Sequence, residues 1–589
     1  MKNKKNKIKN NFFKSKIFKY FSIFLFLICG FGVFLRFQNL GYSTYQGDEI
    51  NAIRFLKTYD GTPPSISEFP SFLLQQKRGA MQYVINFISI SVFGNHQEFG
   101  IRLPFFIFGS LALVTFYLLA KKVFNKKVAL LTASLMSLNG LYIAFSRITQ
   151  YQSFMYLTVP VAVLMFIVGI QKKSLKIGII AGVILSIDMI GHYDTLSVLP
   201  FMIASFFYFL FRKKIDKFLI KYFLIFKVSF LIPSLLFYVP FLTNQNFNSS
   251  TSGYLSSRLT GGESISFMPR LPESLKLITL YNTMQVYIIY FLLISVGLFT
   301  FYKTIKVDNN KLFKINFLTN KILKSFYLLC LAVFMFGVFF SYYPIKPRLS
   351  TLLVWSSSLG ICALLILYSK SKFHRISLVC WYLGAFCVYF YFIRDPRTHV
   401  YVTFIPGFSV MGLGAYYLLK KYTYITVSFF SIFLLYTAFI NYYVFVDKNP
   451  EYPWYHKKVH GIQLKKIDRN AWKKLDGVFG FNHQRPWKDF AKMYEAGCLK
   501  GKYNSNEKNS VTSFYLGFDQ TSPELKDFIY NADTLLGVYG PHSWFYQRYK
   551  DPKPARYKLL KEYKMGDYSY AKIWGLKTTY QDKEFKCKL

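Results

Sequence analysis

Residues 17–36 read IFKYFSIFLFLICGFGVFLR. After Lys19 no charge appears until Arg36. A helix rises about 1.5 Å per residue and a bilayer core is about 30 Å thick, so roughly 20 mostly apolar residues make one crossing. Ile17–Leu35 is such a run, and eight lysines stand at or before Lys19. A cleaved leader has a shorter apolar core and a small-residue cleavage site. Here the run stays apolar to its end, which reads as a retained signal anchor with its N-terminus in the cytoplasm.

The same test finds further runs at about 103–120, 128–145, 154–170, 175–191, 196–211, 223–242, 286–302, 325–342, 350–368, 376–393, 400–418 and 424–446. Thirteen crossings are therefore expected. Met81–Phe93 is apolar but too short to cross, and it reads as a juxtamembrane helix. The expected fold is an α-helical polytopic membrane protein.

Charge tests the count. The 589-residue chain has 73 Lys+Arg against 28 Asp+Glu, a balance that by itself suggests nucleic acid. Yet 53% of it is hydrophobic and 17% charged, so the placement of the basic residues decides. With alternating crossings, the turns on the N-terminal side hold 31 Lys+Arg in 71 residues; those on the other side hold 14 in 135. Cytoplasmic loops carry such an excess. Counting 81–93 as a crossing would invert every later loop. The bias thus favours thirteen crossings, and nucleic acid is not an expected partner. The divisions are a basic cytoplasmic segment 1–16, a transmembrane domain 17–446, and an extracytoplasmic domain 447–589. That last segment has 27 Lys+Arg, 16 Asp+Glu and no spanning run, and reads as a small mixed α/β module.

Carboxylates are scarce, so they mark candidate chemistry. The first outer loop, 36–102, contains Gly47-Asp48-Glu49 soon after the first crossing. A solvated loop pair is the competing reading. Pro63-Pro64 and Pro70 break the loop, which then enters Lys77-Arg78-Gly79-Ala80-Met81-Gln82-Tyr83 and the short helix. Such a loop can fold onto the membrane surface and set carboxylate and cation around a lipid headgroup.

In this order of parts the chain resembles the GT-C glycosyltransferases that use polyprenyl-phosphate sugars. These include protein O-mannosyltransferases and aminoarabinose–lipid A transferases, and the chain looks most like the bacterial PMT-like subset related to them. The residues that carry the resemblance are Leu35-Arg36-Phe37, Gly47-Asp48-Glu49, Arg78 to Tyr83, Phe93-Gly94, Arg102-Leu103-Pro104 and Ser146-Arg147. It implies a GT-C fold in the plasma membrane and an inverting sugar transfer at the outer face. A polyprenyl-phosphate sugar would be the donor; the acceptor would be a glycan, lipid or protein hydroxyl. Asp48 would be the general base, and Glu49 a supporting carboxylate or one that orients a neighbour. Arg78 matches a basic or polar position that relatives follow with Pro-Pro; Gly79-Ala80 stands there here.

Further substrate contacts are expected at outer turns. Arg147 is one, with an interfacial snorkelling side chain as the alternative. Gly191-His192-Tyr193-Asp194 suggests contact with a sugar through His192 and Asp194. A divalent metal at His192 and Asp194 is the alternative there, but no second histidine stands at ligand spacing, so no metal and no other cofactor is assigned. Arg394, Arg397 and His399 crowd six residues and suit a lipid phosphate. The loop 243–285, rich in Asn, Ser, Thr and Gly, is expected to be mobile over the site or an inert linker. Cys498 and Cys587 are the cysteines of the outer domain, and the sequence does not say whether they pair. A flippase or transporter of lipid-linked glycans, and a non-catalytic membrane assembly protein, are the competing functional classes.

Overall fold

The computed structural model is mostly helical. It describes residues 2–589 apart from 55–64, 75–78, 95–96, 213–215, 245–251, 254–268, 307–318, 343–346, 453–457, 460–461, 464–478, 520–531, 540–551, 553, 581–584, 586 and 588–589. Most of the loop expected to be mobile lies outside the described residues, and so does Arg78. Eleven described helices are long and apolar enough to cross a membrane, from Lys16–Phe37 to Thr423–Phe445.

Two of the thirteen expected crossings fall outside that set, for different reasons. Leu175–Gly191 is one unbroken helix of 17 residues. The run expected at 128–145 is broken into Lys126–Ser137 and Gly140–Phe145. The break has a local cause and distant support. Asn139 turns its side chain back to accept from the Tyr142 amide at 3.2 Å, which starts a new helix. A Cβ on Gly140 would lie 1.9 Å from the Tyr281 carbonyl oxygen, so only glycine fits there. The freed Leu138 carbonyl accepts from Asn441 Nδ2 at 2.6 Å, and the Gly140 amide donates to Asn282 Oδ1 at 2.5 Å. Irregular backbone at membrane depth survives where protein groups satisfy it in this way.

The described turns sort into the two ends that the charge bias predicts. At one end Arg375 Nε donates to Val123 O at 2.9 Å, the Lys370 amide to Thr304 O at 2.7 Å, and Arg212 to Ser369 O. At the other, Asn39 Nδ2 donates to Val446 O at 2.8 Å, Tyr452 to Leu280 O at 2.8 Å, and the Ala80 amide to Ile190 O at 2.9 Å. Met81–Phe93 lies at this second end with its polarity inverted: Gln82, Asn86 and Ser89 are buried, while Ile88 and Val92 face outward. A short helix lying at a lipid boundary presents this pattern.

The domain after Phe445 sits on the Asp48 end. Its sheet orders Tyr503–Ser505, Thr534–Val538, Tyr568–Leu576 and Tyr557–Met565, with the first pair parallel and the others antiparallel. Helices Trp487–Glu495 and Asn509–Leu516 pack beside it. Cys498 and Cys587 form a disulfide. The module is not an appendage. Trp487, Phe490, Tyr503, Val511 and Ile573 share one buried cluster with Tyr45, Ile50, Ile53, Tyr83 and Ile101 of the membrane domain.

Candidate active site

Gly47–Ile53 is a short helix, and Gln46 and Glu49 close its first turn as a capping box. Glu49 is fully buried and engages Arg102 through two parallel bonds of 2.8 Å, to Nε and to one terminal nitrogen. It also accepts from the Gln46 amide at 3.1 Å and the Thr149 amide at 3.3 Å. Arg102 spends its other donors on the carbonyls of Leu40, Ser43 and Thr44. One planar cation thus fixes both the chain entering the acidic turn and the acid itself. Paired charges with satisfied hydrogen bonds tolerate such burial; either one alone would not. Asp48, one residue earlier, is half-buried.

The outer domain presses on the same turn. The Tyr45 amide donates to the Tyr515 hydroxyl at 2.8 Å, and the Thr44 amide to His483 O at 3.2 Å. Lys508 passes so close to Gly47 that a Cβ there would lie 3.2 Å from its Cδ. Glu98, which opens the helix Glu98–Val123, accepts from Lys488 at 2.5 Å and from Tyr515 at 3.1 Å. Nothing in the sequence reading tied the tail to the acidic loop. These contacts do, through residues more than 380 positions apart.

Arg147 is buried and donates to four protein oxygens: Leu35 O at 2.7 Å, Gln38 O at 2.6 Å, Gly480 O at 3.1 Å and Asn482 Oδ1 at 3.0 Å. It joins the end of the first crossing to the outer domain. Burial, helped by the neighbouring Arg102 cation, pushes its guanidinium down to about 9. Beside it, Gln150 Nε2, Gln152 Oε1, Thr149 Oγ1 and Ser153 Oγ are buried and have no hydrogen-bond partner among the described residues, and the same is true of both amide atoms of Gln82. Such atoms cost free energy when dry, and native structures rarely leave them so without a reason.

A second polar cluster forms where the helix Leu175–Gly191 gives way to a 3-10 turn, Tyr193–Val198. Asp194 is buried and accepts from Tyr389 at 3.0 Å on one oxygen. The other oxygen meets Tyr401 at 3.0 Å and His399 Nδ1 at 2.7 Å. His192 Nδ1 lies 3.4 Å from that second oxygen and accepts from the Asp194 amide at 3.1 Å. Its ring stacks on Tyr151, 3.8 Å between centroids and 3° from parallel. Below, Asp188 accepts from Thr158 and, at 2.6 Å, from Thr195, bracing the turn. In the sequence His192 and Asp194 share one turn and His399 stands in another; the fold makes all three neighbours. The spacing argument looked along one turn only, and the fold brings a histidine in from another. The second histidine comes from a turn 205 residues away. Tyr389 and Tyr401 were missed because a tyrosine near a helix end carries no distinctive pattern.

The cationic turn divides its attention. His399 faces Asp194, while Arg397 Nε bonds Asp395 at 2.9 Å in an exposed pair. Arg397 has φ of 43°, uncommon outside glycine. Arg394 is half-buried in the same turn.

Residues 79–238 match the family model described as dolichyl-phosphate-mannose-protein mannosyltransferase. The chain is similar to the GT-C glycosyltransferases. The matched segment holds Arg102, Arg147, His192 and Asp194 and begins after Asp48 and Glu49. Two solved structures are similar. The archaeal oligosaccharyltransferase AglB from Archaeoglobus fulgidus, in complex with an inhibitory peptide and a dolichol-phosphate, is 11% identical, with 88% of this chain and 69% of that one covered at a TM-score of 0.42. ArnT from Cupriavidus metallidurans, bound to undecaprenyl phosphate, is 12% identical, with 94% and 97% covered at a TM-score of 0.42. No curated protein matches the sequence.

Proposed function

We propose that this multi-pass membrane protein is an inverting glycosyltransferase. It moves a sugar from a polyprenyl-phosphate donor to an acceptor hydroxyl at the outer face of the plasma membrane, with Asp48 as general base. The observation that carries the reading is the division between two adjacent carboxylates. Glu49 is consumed by Arg102 and two backbone amides, while Asp48 is held half-buried at the membrane end where the other polar turns gather. The family model over 79–238 supports the same class.

In this mechanism the acceptor oxygen attacks the anomeric carbon as its proton passes to the Asp48 carboxylate. The new glycosidic bond forms on the opposite face from the departing C–O bond, whose electron pair stays with the phosphate. A phosphate monoester leaves with more negative charge than the diester carried. Arg394, Arg397 and His399 are assigned to that charge, since preorganised donors act where charge develops. His192 and Asp194 frame the sugar, and Arg78 lies in the same first loop. The acceptor is a glycan, a lipid or a protein.

Purified Asp48→Asn, reconstituted with a polyprenyl-phosphate sugar, is expected to lose transfer while inserting and folding like the wild type. Transfer at the wild-type rate would sink the mechanism. Wild-type proteoliposomes that move the lipid-linked sugar across the bilayer without transferring it would favour a transporter instead. The N-terminus is assigned to the cytoplasm, so a tag on the C-terminal domain should be accessible from outside intact cells.

A further inference from the structure

We propose that His192, Asp194 and His399 form a binding site for one divalent transition-metal ion of the zinc class. The proposal is independent of the transferase reading. Among the described residues this is the one group of three or more His, Cys, Asp or Glu whose ligand atoms converge, all within 4.8 Å of one another. Two nitrogens and one carboxylate oxygen are a set that zinc takes readily, leaving at least one position open. A tetrahedral ion with bonds of about 2.0–2.1 Å separates its ligand atoms by roughly 3.3 Å. The gap from His192 Nδ1 to Asp194 Oδ2 is already 3.4 Å. The gap from His399 Nδ1 to the same oxygen is 2.7 Å, the length of a hydrogen bond with a proton between them. Replacing that proton by an ion opens the pair by about half an ångström and releases the proton.

The surroundings fit a ligand set. His192 Nδ1 accepts from the Asp194 amide, so it carries a lone pair and not a proton; the ion would take that lone pair in place of a weak contact. Tyr389 and Tyr401 donate to the Asp194 oxygens at 3.0 Å each. Outer hydrogen bonds of this kind orient ligating carboxylates. Tyr151 and Tyr193 lie against the His192 ring, with centroids 3.8 and 3.9 Å away, and fix its plane. His192 and Asp194 are buried and His399 is 17% exposed, so the open coordination position faces out beside His399. An ion here would join two turns from distant parts of the chain and offer a Lewis-acidic position to an anionic oxygen.

The test uses the full chain, purified in detergent without an oligohistidine tag, stripped with a chelator and reloaded with Zn²⁺ or Co²⁺. About one ion per chain is expected by elemental analysis, with protons released on binding. Bound Co²⁺ should give the visible absorption of a low-coordinate nitrogen and oxygen site. Asp194→Asn and His192→Gln should lose the ion. Because those changes also disturb a buried network, His399→Cys supplies a positive signal. Its thiolate should add a near-ultraviolet charge-transfer band to the Co²⁺ spectrum, which an ion bound elsewhere cannot show. Wild-type protein that takes up neither metal overturns the site. Bound Co²⁺ that is retained by Asp194→Asn and unchanged in spectrum by His399→Cys also overturns it. Neither measurement reads sugar transfer, so an inactive Asp48→Asn or an active one leaves the metal result standing on its own.

Discussion

Two turns at the same membrane end carry buried acids, and the fold treats them differently. At Gly47-Asp48-Glu49 the buried acid faces an arginine through two bonds of 2.8 Å. An arginine stays charged across the working pH range, so this pairing is permanent and builds structure. At Gly191-His192-Tyr193-Asp194 the buried acid faces histidines and tyrosines. Histidine nitrogens are also metal ligands, and an ion can take the place of the hydrogen-bond proton between His399 and Asp194. The first arrangement fixes a backbone so that a neighbouring acid, Asp48, can be placed. The second leaves the acid itself available as a ligand.

The sharpest break of this contrast is within the first turn. Asp48→Asn should lower the transfer rate by about 10²–10⁴, the usual worth of a positioned base, with thermal unfolding unchanged. Glu49→Gln should do the reverse. It leaves Arg102 buried without its counter-charge, which typically costs about 3–5 kcal/mol. The expected result is a lower unfolding temperature and less folded protein in the membrane. If Glu49→Gln were as stable as the wild type yet inactive, the roles assigned to the two acids would have to be exchanged.

The second turn is probed by its outer partners. Tyr389→Phe removes one hydroxyl from Asp194 and leaves the three proposed ligands in place. Loss of such a partner usually weakens metal binding about 10–100-fold. Titration of the stripped protein with Co²⁺ reads this directly. An affinity equal to that of the wild type would mean that Asp194 is held by something other than its tyrosines.

The difference between the turns also explains what the sequence disclosed. The crossings were legible because each one is a local apolar run and the basic turns are local too. The break at Leu138-Asn139 was not, because hydropathy averages over it and its support comes from Asn282 and Asn441, 144 and 303 residues away. Asp48 and Glu49 stood out as an acidic pair, but their separate fates depend on Arg102, 53 residues beyond Glu49. His192 and Asp194 are visible as a helix-end pair, whereas His399 joins them only through folding. The tail read correctly as a mixed module. Its grip on the acidic loop was invisible, since an amide bonding a tyrosine 470 residues later leaves no periodicity.

That grip gives the smallest of the expected effects and a graded one. Glu98 is held by two outer-domain residues of unequal burial. Glu98 is only 7% exposed, but Lys488 is 47% exposed and reaches it from the solvent side, and Tyr515 still holds the carboxylate, so Lys488→Ala should shift unfolding by no more than about 1 kcal/mol. Tyr515 is buried and serves two partners, accepting from the Tyr45 amide and donating to Glu98. Tyr515→Phe leaves a buried amide unpaired, a penalty of about 1–3 kcal/mol. Because the Tyr45 amide leads directly into Gln46 and Asp48, the loss should appear as faster proteolysis of the 36–54 segment as well as a lower unfolding temperature. Protection of that segment by Tyr515→Phe equal to wild type would show that the apolar cluster around Trp487 and Phe490 holds the loop without the hydrogen bonds. Salt separates the two contributions: raising it should mimic Lys488→Ala and leave the Tyr515 contribution unchanged.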